Sequence, residues 1–304
     1  MHKIFLLLTP IFLVVSCHSG ADRAPVKARM YHLRFNPPDS STYRYSTACE
    51  TTVAVIENGK ANGVHRTSRF TVDYLISKDS TEVMMDMTYN GIEYHERKGL
   101  GAQAVDAANE PGPMRELLNS MKTTTVFGRV RPASSLVTMS GSQELVNSVV
   151  DPYYAKADRP QARDYWGQWV EQQLVWKNLD PFVWVSLDSA GRQGAHWTDI
   201  STNAEDINFK INKRFKLDAV DEGIAIIRSR GRISNDNGGT SLWGKPVTGM
   251  LTGTEDGRFL VDMATGMPRL IEDTVIAEGN VQVEGRPAQI KIVKTIRMEG
   301  GQLK

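Results

Sequence analysis

Glu93 and His95 lie two residues apart in a strand-like stretch, so they share a face, and a carboxylate at that spacing can orient an imidazole for proton transfer. A solvated pair at a strand edge beside Lys98-Gly99 has the same pattern, and the sequence favours that plainer reading. The histidines His18, His32, His65, His95 and His196 are widely spaced, and no His-Glu-x-x-His step exists to hold zinc. The Gly-x-Ser-x-Gly elbow, the Gly-x-x-x-x-Gly-Lys-Ser/Thr loop and the Gly-x-Gly-x-x-Gly turn are all absent, so no metal, cofactor or nucleotide is expected. Asp73, Asp86, Glu272 and Asp273 read as wet-face residues of alternating strands, which singles out no carboxylate pair for glycoside hydrolysis.

Two features suit binding. Trp166, Trp169, Trp176 and Trp184 fall in one stretch with Tyr153, Tyr154, Tyr165 and Phe182. Exposed, such rings stack on sugars or line an apolar pocket, whereas Trp166 and Trp169 at i, i+3 also suit a helix that seals a sheet. Arg228, Arg230 and Arg232 alternate along one strand, preceded by Lys210, Arg214 and Lys216. Paired in a sheet, the two rows would make a cationic stripe for anionic lipid or phosphate groups, or else an ordinary solvated face.

The elements that must position these groups are mostly strands. Period-two alternation recurs in Tyr31-Leu33-Phe35, Phe70-Val72-Tyr74-Ile76, Val83-Met85-Met87-Tyr89 and Phe209-Ile211-Phe215-Leu217. One-sided alternation of this kind predicts an antiparallel sheet with one face in a core and one in water. Asn58-Gly59, Asn62-Gly63, Asn90-Gly91, Asp256-Gly257 and the Asn235–Gly239 cluster read as hairpin turns of a meander. Helix is expected in the middle. Ser140-Gly141-Ser142-Gln143 resembles a capping box ahead of Leu145, Val146, Val149 and Val150, and a second helix starts near Pro160. The expected fold class is mainly β (α+β), a large twisted antiparallel sheet, open-barrel-like, with a helical pair inserted at about 140–178.

The chain of 304 residues is 40% hydrophobic, with 36 Lys+Arg against 35 Asp+Glu and a net charge of +1. That is enough apolar material for a core, and the balanced charge argues against nucleic-acid partners. Residues 1–16 carry one charge, Lys3, and then an apolar run from Ile4 to Val15 broken only by Thr9 and Pro10. The run is too short for a permanent span and has the layout of a signal peptide. It ends in Val14-Val15-Ser16-Cys17, which resembles the lipobox of bacterial lipoproteins. The resemblance implies cleavage after Ser16 and lipid attachment at Cys17, with two or three acyl chains giving stable anchoring. Residues 17–29 then form a short polar tether, and 30–304 a single mostly β domain. His18 in place of Asp after the cysteine resembles the outer-membrane case of the enterobacterial sorting rule, and the absence of an acidic run of the kind associated with surface export favours the periplasmic face. Cys49 has no intramolecular partner if Cys17 carries lipid, and alternation turns it inward.

The lipobox, Leu33-Arg34-Phe35, Thr42-Tyr43-Arg44-Tyr45, the helical insert and Gly257-Arg258-Phe259-Leu260-Val261-Asp262-Met263-Ala264-Thr265-Gly266 together resemble a family of envelope lipoproteins of unknown function common in Bacteroidota. Gly194-Ala195-His196-Trp197 stands where that family often carries a Gly-Asp-Ser-Trp-like step, without the acid. The expected function is a membrane-anchored, non-catalytic module that binds an apolar ligand or an envelope protein, through a hydrophobic cleft between sheet and helices. The alternatives are an envelope glycan hydrolase, with carboxylates clustered in a cleft, or a structural subunit of an envelope complex.

Overall fold

The computed structural model describes residues 29–79, 82–99, 111–131, 136–182, 191–203, 207, 209–235, 240–242 and 245–303. In chain order the strands are β1 (Met30–Tyr31), β2 (Thr42–Glu57), β3 (Lys60–Lys78), β4 (Val83–Lys98), β5 (Val126–Arg131), β6 (Leu136–Ser140), β7 (Gly191–Arg192), β8 (His196–Asn203), β9 (Phe209–Asp221), β10 (Ile224–Ser234), β11 (Thr240–Leu242), β12 (Lys245–Gly249), β13 (Thr252–Asp262), β14 (Pro268–Val283) and β15 (Arg286–Gln302). The helices are α1 (Pro113–Thr123), α2 (Ser142–Tyr153) and α3 (Arg159–Glu171). A wide π-turn at Gln172–Trp176 and a short 3-10 turn at Asp180–Phe182 follow α3.

Thirteen strands form one antiparallel sheet whose main path runs β6-β5-β4-β3-β2-β15-β14-β13-β10-β9-β8. It is a meander that folds back on itself, because β15 pairs along β2 from Ala288↔Glu57 to Gln302↔Tyr43. The two ends of the path, β6 and β8, do not pair, so the sheet stays open. The expected mainly β, open architecture with helices in the middle is what the chain adopts. A helix was not anticipated at α1, where Pro113 opens the first turn and Leu117, Leu118 and Met121 form a buried stripe.

Turn chemistry explains part of the meander. Asn58-Gly59, Glu222-Gly223 and Glu284-Gly285 all take positive φ and join β2 to β3, β9 to β10 and β14 to β15. Two such residues in succession match the twist of flanking strands. Three other expected turns are instead strand positions. Asn62-Gly63 pairs with Ala54 and Val55, Asn90-Gly91 marks a bulge opposite Thr71/Val72, and Asp256-Gly257 pairs with Ser229 and Arg230. The Asp236–Gly239 part of the last cluster lies outside the described residues. The capping box at 140–143 does not form, since Gly141 occupies the N-cap in a left-handed conformation without a side-chain cap.

Alternation places odd residues of β2 inward, with Tyr43 and Tyr45 at one end and Val53 and Val55 at the other. These ends belong to two separate apolar clusters on the same concave face. The first cluster is covered by the helices, through Leu145, Val149 and Val150 of α2 and Ala162, Trp166 and Val170 of α3, the latter at i, i+4 and i+8. The segments Leu33-Arg34-Phe35 and Asp262–Gly266 also meet here. Asn36 N donates to Thr265 O at 2.8 Å, and Gly266, at φ 68°, approaches the Arg34 carbonyl so closely that a Cβ has no room.

Candidate functional site

The last turns of the helical segment form a plug in the concave face. Tyr74 Oη donates to the Asn178 carbonyl at 3.0 Å, tying the plug to β3. Leu179 lies over Gly128 of β5, where any Cβ would strike its side chain. Phe182 is fully buried, edge-on to Tyr45 and to Tyr74 at 5.2 Å each, and 5.9 Å from Phe35. The cleft expected between sheet and helices is, at this point, filled with side chains.

Trp166 and Trp169 belong to that packing. Trp166 is 5% exposed and donates from Nε1 to Tyr154 Oη at 3.0 Å, while Trp169 is edge-on to Tyr94 at 5.8 Å. Trp166 is buried and Trp169 half-buried, and both pack against the sheet. The side chains of Trp176 and Trp184 lie outside the described residues, as do Cys17 and residues 1–16.

Between the two apolar clusters runs a polar belt that alternation alone did not reveal. Register aligns Lys213, Gly231 and Glu255 in one inward row and Phe215, Ser229, Gly257 and Asp273 in the next. Lys213, Ser229, Glu255 and Asp273 are all at least 96% buried, since none exceeds 4% exposure. Asp273 is thus an interior residue and not the wet-face acid expected, whereas its neighbour Glu272 does face outward. Lys213 Nζ donates to Asp273 Oδ2 at 3.2 Å and lies 3.4 Å from Glu255 Oε1, which also accepts from Ser229 Oγ. Gly231 and Gly257 flank the Glu255 carboxyl, and a Cβ at either would intrude on it.

One cation faces two carboxyls, and Glu255 Oε2 and Asp273 Oδ1 are left without a donor. A proton on Glu255 allows it to donate to Asp273. Burial first of all, with Asp273 adding to it and Lys213 opposing, pushes the Glu255 carboxyl up to about 7 from an ordinary 4.5. Asp273 and Glu255 outweigh the burial of Lys213 and hold its ammonium above the ordinary range. Asp180, on the plug's last turn, is likewise pushed up to about 7, by burial and then by Asp199 and Glu171, against the pull of Lys213.

These shifts carry a sign. Folded Glu255 and Asp180 retain protons that the unfolded chain releases above 4.5 and 3.8, so the stabilisation from these two carboxyls is complete below those values and is lost as pH rises through about 7. For Glu255 the loss is at most about 3 kcal/mol. The melting temperature is expected to fall by several degrees between pH 5 and pH 8, measured by circular dichroism, and Glu255→Gln should flatten that slope. An unchanged slope in the variant would exclude Glu255 as its source.

The outer face carries a shallow groove of about 440 Å³ across β4, β3, β2, β15 and β14, floored by Ala48 and rimmed by Glu50, Arg69, Glu93, His95, Glu272 and Arg297. The Glu93–His95 pair is therefore on a groove wall. Glu93 is 3.8 Å from the Arg69 guanidinium, Glu272 contacts Arg297, and Glu50 is 3.8 Å from the His65 ring. Glu93 and Glu50 are exposed, with 63% and 59% of their side chains in solvent. Among the described residues no group of three or more His, Cys, Asp or Glu is placed to hold a metal ion.

Arg228, Arg230 and Arg232 are brought together with the preceding row. Arg228 stands opposite Lys216 and Arg230 opposite Arg214 on β9, and Arg258 of β13 flanks Arg228 on the other side. All five arginines and lysines in these pairs are exposed. Asp218 neutralises one end by pairing with Lys216 at 2.7 Å and Arg228 at 2.9 Å.

No curated protein matches the chain. Among solved structures, the COG4313 outer membrane channel from Pseudomonas putida F1 is similar at 7% identity and a TM-score of 0.24, over 86% of this chain and 96% of that one. OpdQ of Pseudomonas aeruginosa gives 8% identity and a TM-score of 0.20, over 86% and 99%. A DUF1329 family protein from Desulfovibrio piger gives 11% identity and a TM-score of 0.11, over 84% and 85%. Superpositions this loose bear neither on the fold nor on function. The model of a family of unknown function, DUF6263, matches residues 80–268, which run from the β3–β4 connection to the start of β14 and include the plug, Lys213, Glu255 and the arginine row, and the chain belongs to that family.

Proposed function

We propose that this protein is a lipid-anchored, non-catalytic binding module of the cell envelope that takes an apolar ligand, of the acyl-chain class, into the sheet interior beneath the helices. The observation that carries this reading is how the interior is closed: helices, and not a strand ladder, cover the apolar cluster of an open sheet. The plug is held by side-chain packing and by hydrogen bonds such as Tyr74 to the Asn178 carbonyl, and contributes no strand to the ladders. Met85, Met87, Met121, Met267 and Met298 line the cluster, and flexible thioethers repack readily around a guest.

The anchor is read from the sequence: the lipobox-like Val14-Val15-Ser16-Cys17 places lipid on Cys17, and His18 favours the outer membrane with the domain in the periplasm. The β1–β7 ribbon, from which the chain runs back towards Cys17, sits beside the helix-covered cluster, because Tyr31 packs against it. From Cys17 to Arg29 the chain spans at most roughly 40 Å, which keeps the plugged end within reach of the membrane.

Native mass spectrometry of gently purified protein, beside a denatured control, tests the ligand. A lipid-mass adduct released on denaturation is expected. Unliganded protein that also fails to take up a fluorescent fatty acid would overturn the reading. Separately, Cys17→Ala should abolish lipid labelling and membrane retention.

A further inference from the structure

Several exposed arginines on this sheet have an acid directly across the ladder. Arg44 faces Asp73 and closes on it at 2.6 and 2.7 Å, Arg69 faces Glu93, and Arg297 faces Glu272. On the outer face of the β9–β10 ladder cations stand opposite cations, Arg230 opposite Arg214 and Arg228 opposite Lys216. Like charges directly opposite are destabilising. Asp256 stands opposite Arg230 on β13 without closing an ion pair, and Arg232 faces Asn212 and Thr254. On a chain whose net charge is only +1, Arg214, Arg230 and Arg232 are thus a local group of exposed cations that close no ion pair among the described residues, while Asp218 holds Lys216 and Arg228. Alternate positions are about 7 Å apart, so Arg228 to Arg232 present a row roughly 14 Å long.

The row begins beside the point where the chain leaves for Cys17. β1 pairs with β7, Gly194 N donates to Leu217 O just after β7, and Gln193 Nε2 donates to the carbonyl of Asp218, the residue that pairs with Lys216 and Arg228. We propose that the outer face of β9 and β10 docks on anionic phosphate headgroups of the membrane that holds the N-terminus, with Arg214, Arg230 and Arg232 as the principal contacts. Guanidinium groups suit this task because their forked donors take phosphate oxygens two at a time. The choice of a membrane as the anion source rests on the anchoring proposed for Cys17.

The test uses the chain without residues 1–17, which removes the anchor and none of the described residues, in co-sedimentation with vesicles. Binding is expected to phosphatidylcholine vesicles doped with phosphatidylglycerol, not to phosphatidylcholine alone, and should weaken with salt. Arg214→Glu reverses one charge and places an acid opposite Arg230, as elsewhere on the sheet. It should lower vesicle binding roughly thirtyfold while leaving the melting temperature unchanged or raised. The milder pair Arg230→Gln with Arg232→Gln should lose binding in the same direction. Equal binding by these variants, or equal binding to neutral vesicles, would overturn the proposal. So would protection of the stripe by inorganic phosphate with no binding to phosphatidylglycerol. Membrane retention of Cys17→Ala in cells reports on the anchor separately, so either reading can fail while the other stands.

Discussion

Lys213→Met is expected to destabilise the protein by about 3–5 kcal/mol, the usual cost of removing one partner from a buried ionic pair. The side chain is 2% exposed and is the cation that Glu255 and Asp273 share, at 3.4 and 3.2 Å. Without it the two carboxyls face each other across the seam between the apolar clusters, in a setting with little water to screen them. The urea midpoint should drop with little change in slope, and the drop should be larger at pH 8 than at pH 5, because the proton on Glu255 relieves the repulsion at the lower pH. Glu255→Gln in the Lys213→Met background should recover much of the loss, a coupling that double-mutant analysis measures. A Lys213→Met protein within about 1 kcal/mol of the parent at pH 8 would mean that the belt is solvated and not a buried ionic seam.

The belt shows where reading a sequence stops. Alternation located the strands, because Phe70, Val72, Tyr74 and Ile76 on β3 and Val83, Met85 and Met87 on β4 are buried to a few per cent or less. The same alternation held the clue to the seam: Lys213 interrupts the inward row of Phe209, Ile211, Phe215 and Leu217, and Asp273 interrupts that of Ile271, Val275 and Ala277. One charge in an apolar row reads as a slip of register until the partner strand is known, and Lys213, Glu255 and Asp273 are dispersed over 60 residues of sequence. Gly257 reads as a turn residue after Asp256, yet its lack of a side chain serves to admit the Glu255 carboxyl. The arginine row was legible because all its members lie on two consecutive strands, so a single hairpin register brings them together. Phe182 was not, because its neighbours Phe35, Tyr45 and Tyr74 come from distant segments and it sits on a 3-10 turn with no period to read.

That residue gives the second large effect. Phe182→Ala removes a fully buried ring from among three aromatic partners and is expected to cost about 3–5 kcal/mol, as ring-to-methyl truncations in packed cores do. The plug is tied to the sheet by Tyr74 on the Asn178 carbonyl and by Leu179 seated over Gly128. Loss of the ring should therefore loosen the plug more than the sheet, whose strands keep their ladders. An apolar dye that fluoresces when buried should enter the variant faster than the parent under conditions where both remain folded. Val281→Ala, in the second cluster away from the helices, separates this from general instability, since it also opens a core void and leaves the plug untouched. Faster dye entry in Phe182→Ala than in Val281→Ala places the route to the interior at the plug. Equal entry in the two would show that access follows global stability, and the helices would then be part of a permanent core and not a cover.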